Sequence, residues 1–240
     1  MAANHLAMAR LAEQAERYND MSFEMRKAIE ASGGVISEEE RNLFSVAYKN
    51  VVGQRRASWR AISGIEKKLQ DTDNKKALVK TYKAKIEKEL KELCEEVLSI
   101  LTNLLISKSS DSSSKVFYLK MKGDYQRYLA EVQKDTDQKD NVESAAAVYE
   151  EAWQLSCTDL EPTHPIHLGL ALNYSVYYFE IMDDKAKACE LAKKAFDDAI
   201  SMLDNVKEDS YKDSTLIMQL LRDNLTLWSS CDTEEEEEKE

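Results

Sequence analysis

Lys49, Arg56 and Arg60 follow one another at intervals of seven and four residues, in a stretch whose apolar residues recur every three or four positions. At 100° per residue those intervals return to within about 20° of one direction, so the three cations share one face of a helix. Lys120 and Arg127 repeat the seven-residue interval in a second such stretch, with Tyr128 beside Arg127. Brought together, the two faces would make a positive pocket edged by a phenol hydroxyl. Arginine's planar fork holds two oxygens of one phosphate through charge-assisted hydrogen bonds. A phosphorylated serine or threonine, with about −1.5 to −2 charges and three acceptor oxygens, suits such a pocket. The spacing fits equally well a set of surface cations paired with local acids such as Asp124 and Glu131, and it leaves both readings open.

Two other stretches bear polar groups within apolar stripes. One has Leu216, Ile217, Leu220, Asn224, Leu227 and Trp228 along one side, and the other Leu168, Leu172, Asn173, Val176 and Glu180. Such stripes are ordinarily core. An asparagine, however, offers both a donor and an acceptor and can clamp an extended peptide backbone. Other chemistry finds little support. His164 and His167 have no third metal ligand nearby, and Pro165 breaks the helix that would align them, so no metal site is expected. There is no glycine-rich phosphate loop, no G-x-S-x-G and no recognisable Cys–His pair, which argues against an enzyme and against a bound cofactor.

The elements that must position these residues read as helices throughout. Six glycines and two prolines in 240 residues fall well below the roughly 12% of average usage, and tight turns depend on those two residues. Two short helices precede Gly33. Ser37 with Glu40 is a capping-box signature opening a long helix that runs to Leu69. Another should follow Asp71 or Asp73, with a stripe of Leu78, Tyr82, Ile86, Leu90, Leu93, Val97, Leu101 and Leu104. A serine-rich loop at 107–114 leads to helices over 115–132, 142–157, 166–182, 185–203 (capped by Asp183 and Asp184) and from Asp209 or Ser210 to near 230. The count is nine, with no strand. No linker divides the chain, so residues 1–231 read as one all-helical domain followed by a disordered acidic tail at 232–240. Residues 173–200 space alanines and aromatics somewhat like a tetratricopeptide unit, but two more units cannot be registered.

The formal net charge of −12 argues against nucleic acid or an anionic membrane as a general partner. Half of that charge sits in the tail, so any basic cluster in the body stands out. The apolar run at 97–106 is half the length a bilayer requires. With no signal-peptide pattern and four scattered cysteines, a cytoplasmic setting with reduced thiols is expected.

Five segments together resemble the 14-3-3 family: RNLFSVAYKNV at 41–51, KVFYLKMKGDY at 115–125, PTHPI at 162–166, GLALN at 169–173 and YKDSTLIMQLLRDNLTLW at 211–228. The resemblance covers essentially the whole chain before the tail. It implies nine antiparallel helices in a cup-shaped monomer with an amphipathic groove, dimerising through the N-terminal helices. The groove would bind phosphoserine or phosphothreonine segments of client proteins and regulate them without catalysis. Carried over by position, Arg56, Arg127 and Tyr128 would grip the phosphate with Lys49 beside them, while Lys120 adds charge to the same wall. Asn173 and Asn224 would bond the client backbone. Leu172, Val176, Leu216, Ile217, Leu220 and Leu227 would form the apolar wall, and Glu180 and Trp228 would close the side near Asn224. Departures are few: Phe44 stands for a usual leucine, Gln126 for an aromatic and His167 for an arginine.

For the dimer, the resemblance implies bridges from Arg17 and Asp20 to Glu89 and Lys85, whereas Asn4 and Asn74 replace a further family pairing. Exposed bridges contribute about 0–1 kcal/mol each, so apolar packing should hold the pair, with itself or with other isoforms. Ser58 lies in an Arg55-Arg56-Ala57-Ser58-Trp59 context that suits a basophilic kinase, near the implied dimer surface. A charge there would sit in a packed contact. Ser58→Asp is therefore expected to weaken the dimer, and an unchanged mass by sedimentation would refute this. The acidic tail follows the last groove helix and could compete weakly for the basic pocket. Deleting residues 232–240 should then tighten phosphopeptide binding, measured by titration against the full chain.

Overall fold

Ser37 Oγ accepts the Glu40 backbone N–H at 3.2 Å, and the Glu40 carboxylate accepts the Ser37 N–H at 2.7 Å. The capping box read from the sequence thus starts α3, Glu38–Lys68, in a computed structural model that describes residues 2–70, 74–206 and 208–237. Before it lie α1 (Ala2–Gln14) and α2 (Tyr18–Ser32); after it come α4 (Lys75–Ile100), α5 (Ser112–Val132), α6 (Asp135–Asp159), α7 (Pro165–Glu180), α8 (Lys185–Met202) and α9 (Glu208–Glu237). The described residues therefore hold nine α-helices and no strand, the fold class the composition implies.

They divide into two compact units, Met1–Ser109 with Tyr128–Asn141 and Ser110–Arg127 with Val142–Glu240. In the first, α2 ends where Gly33 turns left-handed, and Gly34 comes so close to the next layer that a Cβ would lie 2.4 Å from the Leu104 carbonyl oxygen. Its core gathers Met21, Met25, Ile29, Phe44, Tyr48, Leu90, Val97 and Leu101, all fully buried. The α4 helix widens into a π turn at Leu101–Leu105 and then tightens into a 3₁₀ turn at Ile106–Lys108. In the second unit, α8 sets Ala188, Ala192, Ala195 and Ala199 against Leu168 and Ala171 of α7 and Met218, Leu221 and Trp228 of α9. Of the alanines whose spacing resembles a tetratricopeptide unit, Ala195 and Ala199 belong to this stripe, which is small enough to let three helices approach closely, whereas Ala186 is exposed.

Some boundaries differ from the periodicity. The α6 helix begins at Asp135 rather than near 142, because its polar first turns are held by side chains instead of apolar burial. Gln138 Nε2 donates to the Ala130 carbonyl at 2.9 Å and Asn141 Nδ2 to Gln133 Oε1 at 2.6 Å. The serine-rich loop is shorter than 107–114, since Asp111 accepts the Ser114 N–H at 2.8 Å and α5 begins at Ser112. Asp71 and Asp73, expected to cap α4, lie outside the described residues, and Asn74 beside its first turn makes no side-chain cap. Leu78 and Tyr82, read as the start of the α4 core stripe, are 72% and 55% exposed; burial begins at Ile86. The backbone of α9 is helical through Glu237, past the start of the expected tail, and residues 238–240 lie outside the described residues. No helix of the described residues is long and apolar enough to cross a membrane.

Losing a serine N-cap costs about 1 kcal/mol, whereas a Cβ on strained left-handed backbone against a carbonyl costs more. Ser37→Ala should lower unfolding stability by about 1 kcal/mol and Gly34→Ala by about 2 kcal/mol or more, read from urea midpoints. An unshifted midpoint for Gly34→Ala would show that the chain there can move away from Leu104.

Candidate functional site

The cations of the first unit sit along α3. Arg56 is fixed by Glu131, with Nε 3.1 Å and Nη2 2.5 Å from its two oxygens, a forked pairing in which both side chains are largely buried. Its guanidinium lies 3.8 Å from the centre of the Tyr128 ring, a stacked cation–π contact. Arg60 reaches the same Glu131 at 3.6 Å from a more exposed position. Lys49, two turns earlier, is exposed and meets no acid among the described residues. The local ion pair that the sequence left open is therefore present at Arg56 and absent at Lys49.

In the second unit the same principle is built around Asp124, which is 5% exposed. Lys120 Nζ donates to its carboxylate at 2.9 Å, Asn173 Nδ2 to its two oxygens at 2.8 and 2.9 Å, and Tyr149 Oη at 2.5 Å. Arg127 Nη2 stands 3.6 Å from Asp124, its Nε 3.4 Å from Tyr149 Oη and its Nη1 3.7 Å from Glu180. Burial pushes the Asp124 carboxyl upward, but the charges of Lys120 and Arg127 and the hydrogen bonds from Tyr149 and Lys120 outweigh it and hold the carboxyl below its usual range. Burial, then the Asp124 charge, drives the Tyr149 phenol in the opposite direction, so it stays a donor. Tyr149 reaches Asp124 because Gly123 has no side chain: a Cβ there would lie 2.8 Å from the ring.

The apolar positions lie on α7 and α9 of this unit. Leu172, Val176 and Ile217 are half-buried against the alanine-lined core. Leu216, Leu220 and Leu227 form an outward stripe, 62%, 43% and 60% exposed. Trp228, expected to close one side, is instead 3% exposed and stacks on Phe179 at 4.8 Å. Asn224 is half-buried and, unlike Asn173, has no hydrogen-bond partner among the described residues. Glu180 is exposed at the end of α7.

The positions implied for a dimer lie in the first unit. Arg17 and Asp20 pair with each other, and Glu89 stands 3.6 Å from Arg55. Ser58 is exposed, bonds the Gln54 carbonyl at 2.9 Å, and lines a cleft of about 240 Å³ with Tyr82, Lys85 and Glu89. A second, more apolar cleft of about 330 Å³ is lined by Met8, Leu11, Ala12, Arg17, Asp20 and Phe23.

The histidines serve structure. His164 caps α7 by accepting the Ile166 N–H at 3.1 Å. His167 is buried, 2.5 Å from Ser156 Oγ and stacked on Trp153, and burial lowers its pKa to about 4. No group of three metal-ligating side chains occurs among the described residues. Sequence reasoning cast Asp124 and Glu131 only as local acids and passed over Tyr149. Lys120 and Arg127 lie within four residues of Asp124, but the contacts that join Glu131 to Arg56, Asp124 to Tyr149 and Asn173, and Tyr149 to Arg127 span 22 to 75 residues, and no short-range spacing exposes those.

Known proteins resemble the chain along most of its length. The profile described as 14-3-3 protein matches residues 8–229. The chain is 59% identical over 222 residues to 14-3-3 protein beta/alpha-1 of Oncorhynchus mykiss, covering 92% of this chain and 91% of that protein. It is 59% identical over 222 residues to 14-3-3-like protein 2 of Caenorhabditis elegans, covering 92% and 89%. With 14-3-3 protein theta of Gallus gallus the identity is 58% over 228 residues, covering 95% and 93%. Similarity at this level along nearly the entire length leaves one assignment: the chain belongs to the 14-3-3 family, whose members are non-catalytic adaptor and regulatory proteins.

Proposed function

We propose that the chain is a dimeric cytoplasmic adaptor that binds phosphoserine or phosphothreonine segments of client proteins. The observation that carries this reading is the pair of arginines, Arg56 and Arg127, held by acids behind them in a protein of net charge −12. A freely rotating arginine loses about 2 kcal/mol of side-chain entropy on being fixed, and here the forked Glu131 contact has already fixed Arg56. A phosphate brings more charge than a carboxylate and three acceptor oxygens, so it can engage guanidinium hydrogens that the carboxylate leaves free. Lys49, Arg56, Arg127 and Tyr128 then hold the phosphate, and Lys120 remains committed largely to Asp124.

Asn173 and Asn224 bond the client backbone, and the exposed leucines of α9, with Leu172, Val176 and Ile217, take client side chains of varied shape. Glu180 borders this surface. Exposed apolar groups that a monomer would leave in water support a dimer through the first unit: Met8, Leu11, Phe23, Leu78 and Tyr82. Arg17, Asp20, Ser58, Lys85 and Glu89 lie among them. Two grooves per dimer make the second contact of a doubly phosphorylated client intramolecular, at an effective concentration approaching mM for short flexible connections.

The test is a titration of an Arg-Ser-x-phosphoSer-x-Pro peptide, its dephosphorylated form, and an Arg56→Glu/Arg127→Glu variant. Charge-assisted hydrogen bonds contribute about 1.5–3 kcal/mol each, so losing the phosphate or both arginines should weaken binding about a hundredfold or more. Equal affinity in all three titrations would refute the adaptor mechanism in favour of a phosphorylation-independent scaffold.

A further inference from the structure

We propose that Asp124 is a positioning residue that fixes which way the Asn173 amide faces, so that Asn173 presents only an acceptor and selects a client backbone N–H. The inference rests on the phosphopeptide reading above and deepens it.

An asparagine side chain is ambiguous: a half-turn about its last bond exchanges a two-hydrogen donor for an acceptor at nearly the same place. An ionised carboxylate removes the ambiguity because it only accepts. Asn173 Nδ2 lies 2.8 and 2.9 Å from the two Asp124 oxygens. The reversed orientation would set the Asn173 carbonyl oxygen against both carboxylate oxygens at a buried site, with no proton between them. Nothing else among the described residues engages Asn173, so its Oδ1 is left with an unfilled acceptor. Asn224, which no carboxylate holds among the described residues, keeps both orientations.

For this to work, Asp124 must stay ionised although buried, and its other contacts serve that end. Lys120 at 2.9 Å and Arg127 at 3.6 Å supply charge, and Tyr149 donates at 2.5 Å. Gly123 allows the Tyr149 contact by admitting the ring against α5. Asp124 itself need not touch the client.

The competing role for Asp124 is to neutralise Lys120 and Arg127 or to hold the helices together. Ester peptides distinguish the two. In the Arg-Ser-x-phosphoSer-x-Pro peptide, each amide N–H flanking the phosphoserine is replaced, one at a time, by an ester oxygen, which cannot donate. Wild-type protein should bind one of these esters about tenfold more weakly than the all-amide peptide, the effect of one lost hydrogen bond. In Asp124→Asn, residue 124 can donate to a reversed Asn173. That variant should bind the all-amide peptide about tenfold more weakly and no longer distinguish the same ester. Asn173→Ala should behave likewise. If Asp124→Asn weakens amide and ester peptides equally, or if no ester penalty disappears in the two variants, the proposal is overturned. Failure of the phosphopeptide reading is separate: wild-type protein would then bind phosphorylated and unphosphorylated peptides alike.

If circular dichroism shows Asp124→Asn unfolded, the wild-type protein decides. Its Asn173 side-chain NH₂ resonance should have a proton shifted downfield and protected from exchange both before and after the phosphopeptide is added. Exchange as fast as that of an exposed asparagine would overturn the inference.

Discussion

Every cation proposed to hold the phosphate, apart from Lys49, is tied to a carboxylate, and the rest of the site depends on that constraint. Arg56 and Arg127 are largely buried, and a buried guanidinium without an acid would carry a heavy desolvation cost. Glu131 and Asp124 remove this cost in the chain itself. Glu131 also orients Arg56, because a forked pair fixes the plane of a guanidinium as no single contact can. In the proposed site the acids would thus be part of the binding apparatus and not only rivals of the ligand. In the proposed function a phosphate would succeed a carboxylate in this setting because it has more charge and a third oxygen.

The apolar side obeys a different constraint. The α9 helix has two apolar faces, one closed and one open. Met218, Leu221 and Trp228 are buried against the alanine stripe of α8, whereas Leu216, Leu220 and Leu227 face outward. Because alanines bring α7, α8 and α9 together without long side chains, the stability of this unit does not depend on the outward leucines. In the proposed function they meet client side chains of varied shape. Trp228 belongs to the closed face, and its stack on Phe179 fixes the helix that carries Asn224.

Helical periodicity and local caps were legible in the sequence wherever the deciding contact is near in the chain. Ser37 with Glu40, Asp184 before α8 and Pro165 at the start of α7 all act within four residues. Periodicity was less informative about what covers a face. The α4 stripe has one continuous spacing from Leu78 to Val97, yet its first two members are exposed and the later ones are core. A stripe records only that a face is apolar; whether a core or a second chain covers it depends on tertiary placement. The start of α6 was missed for the converse reason, since its polar turns are stabilised by amide side chains. Asp124 was visible only as the acid four residues after Lys120. Its pairing with Asn173 spans 49 residues, and its access to Tyr149 depends on the missing Cβ of Gly123, a helix-interior glycine that the sequence alone gives no reason to notice.

The balance of charge differs between the two halves of the proposed site. On α3, Lys49, Arg56 and Arg60 face a single acid, Glu131, and Lys49 has no partner among the described residues. On α5, Lys120 and Arg127 are answered by Asp124 and Glu180. The surplus positive charge that would attract the anion in the proposed site therefore belongs to α3. The α5 residues contribute little net charge but strongly oriented donors, because each is held from behind by a buried carboxylate or phenol. Attraction at long range and discrimination at contact then rest on different residues. An acidic body suits this division, since it repels anions everywhere except near the α3 surplus and leaves hydrogen-bond geometry to decide which anions remain.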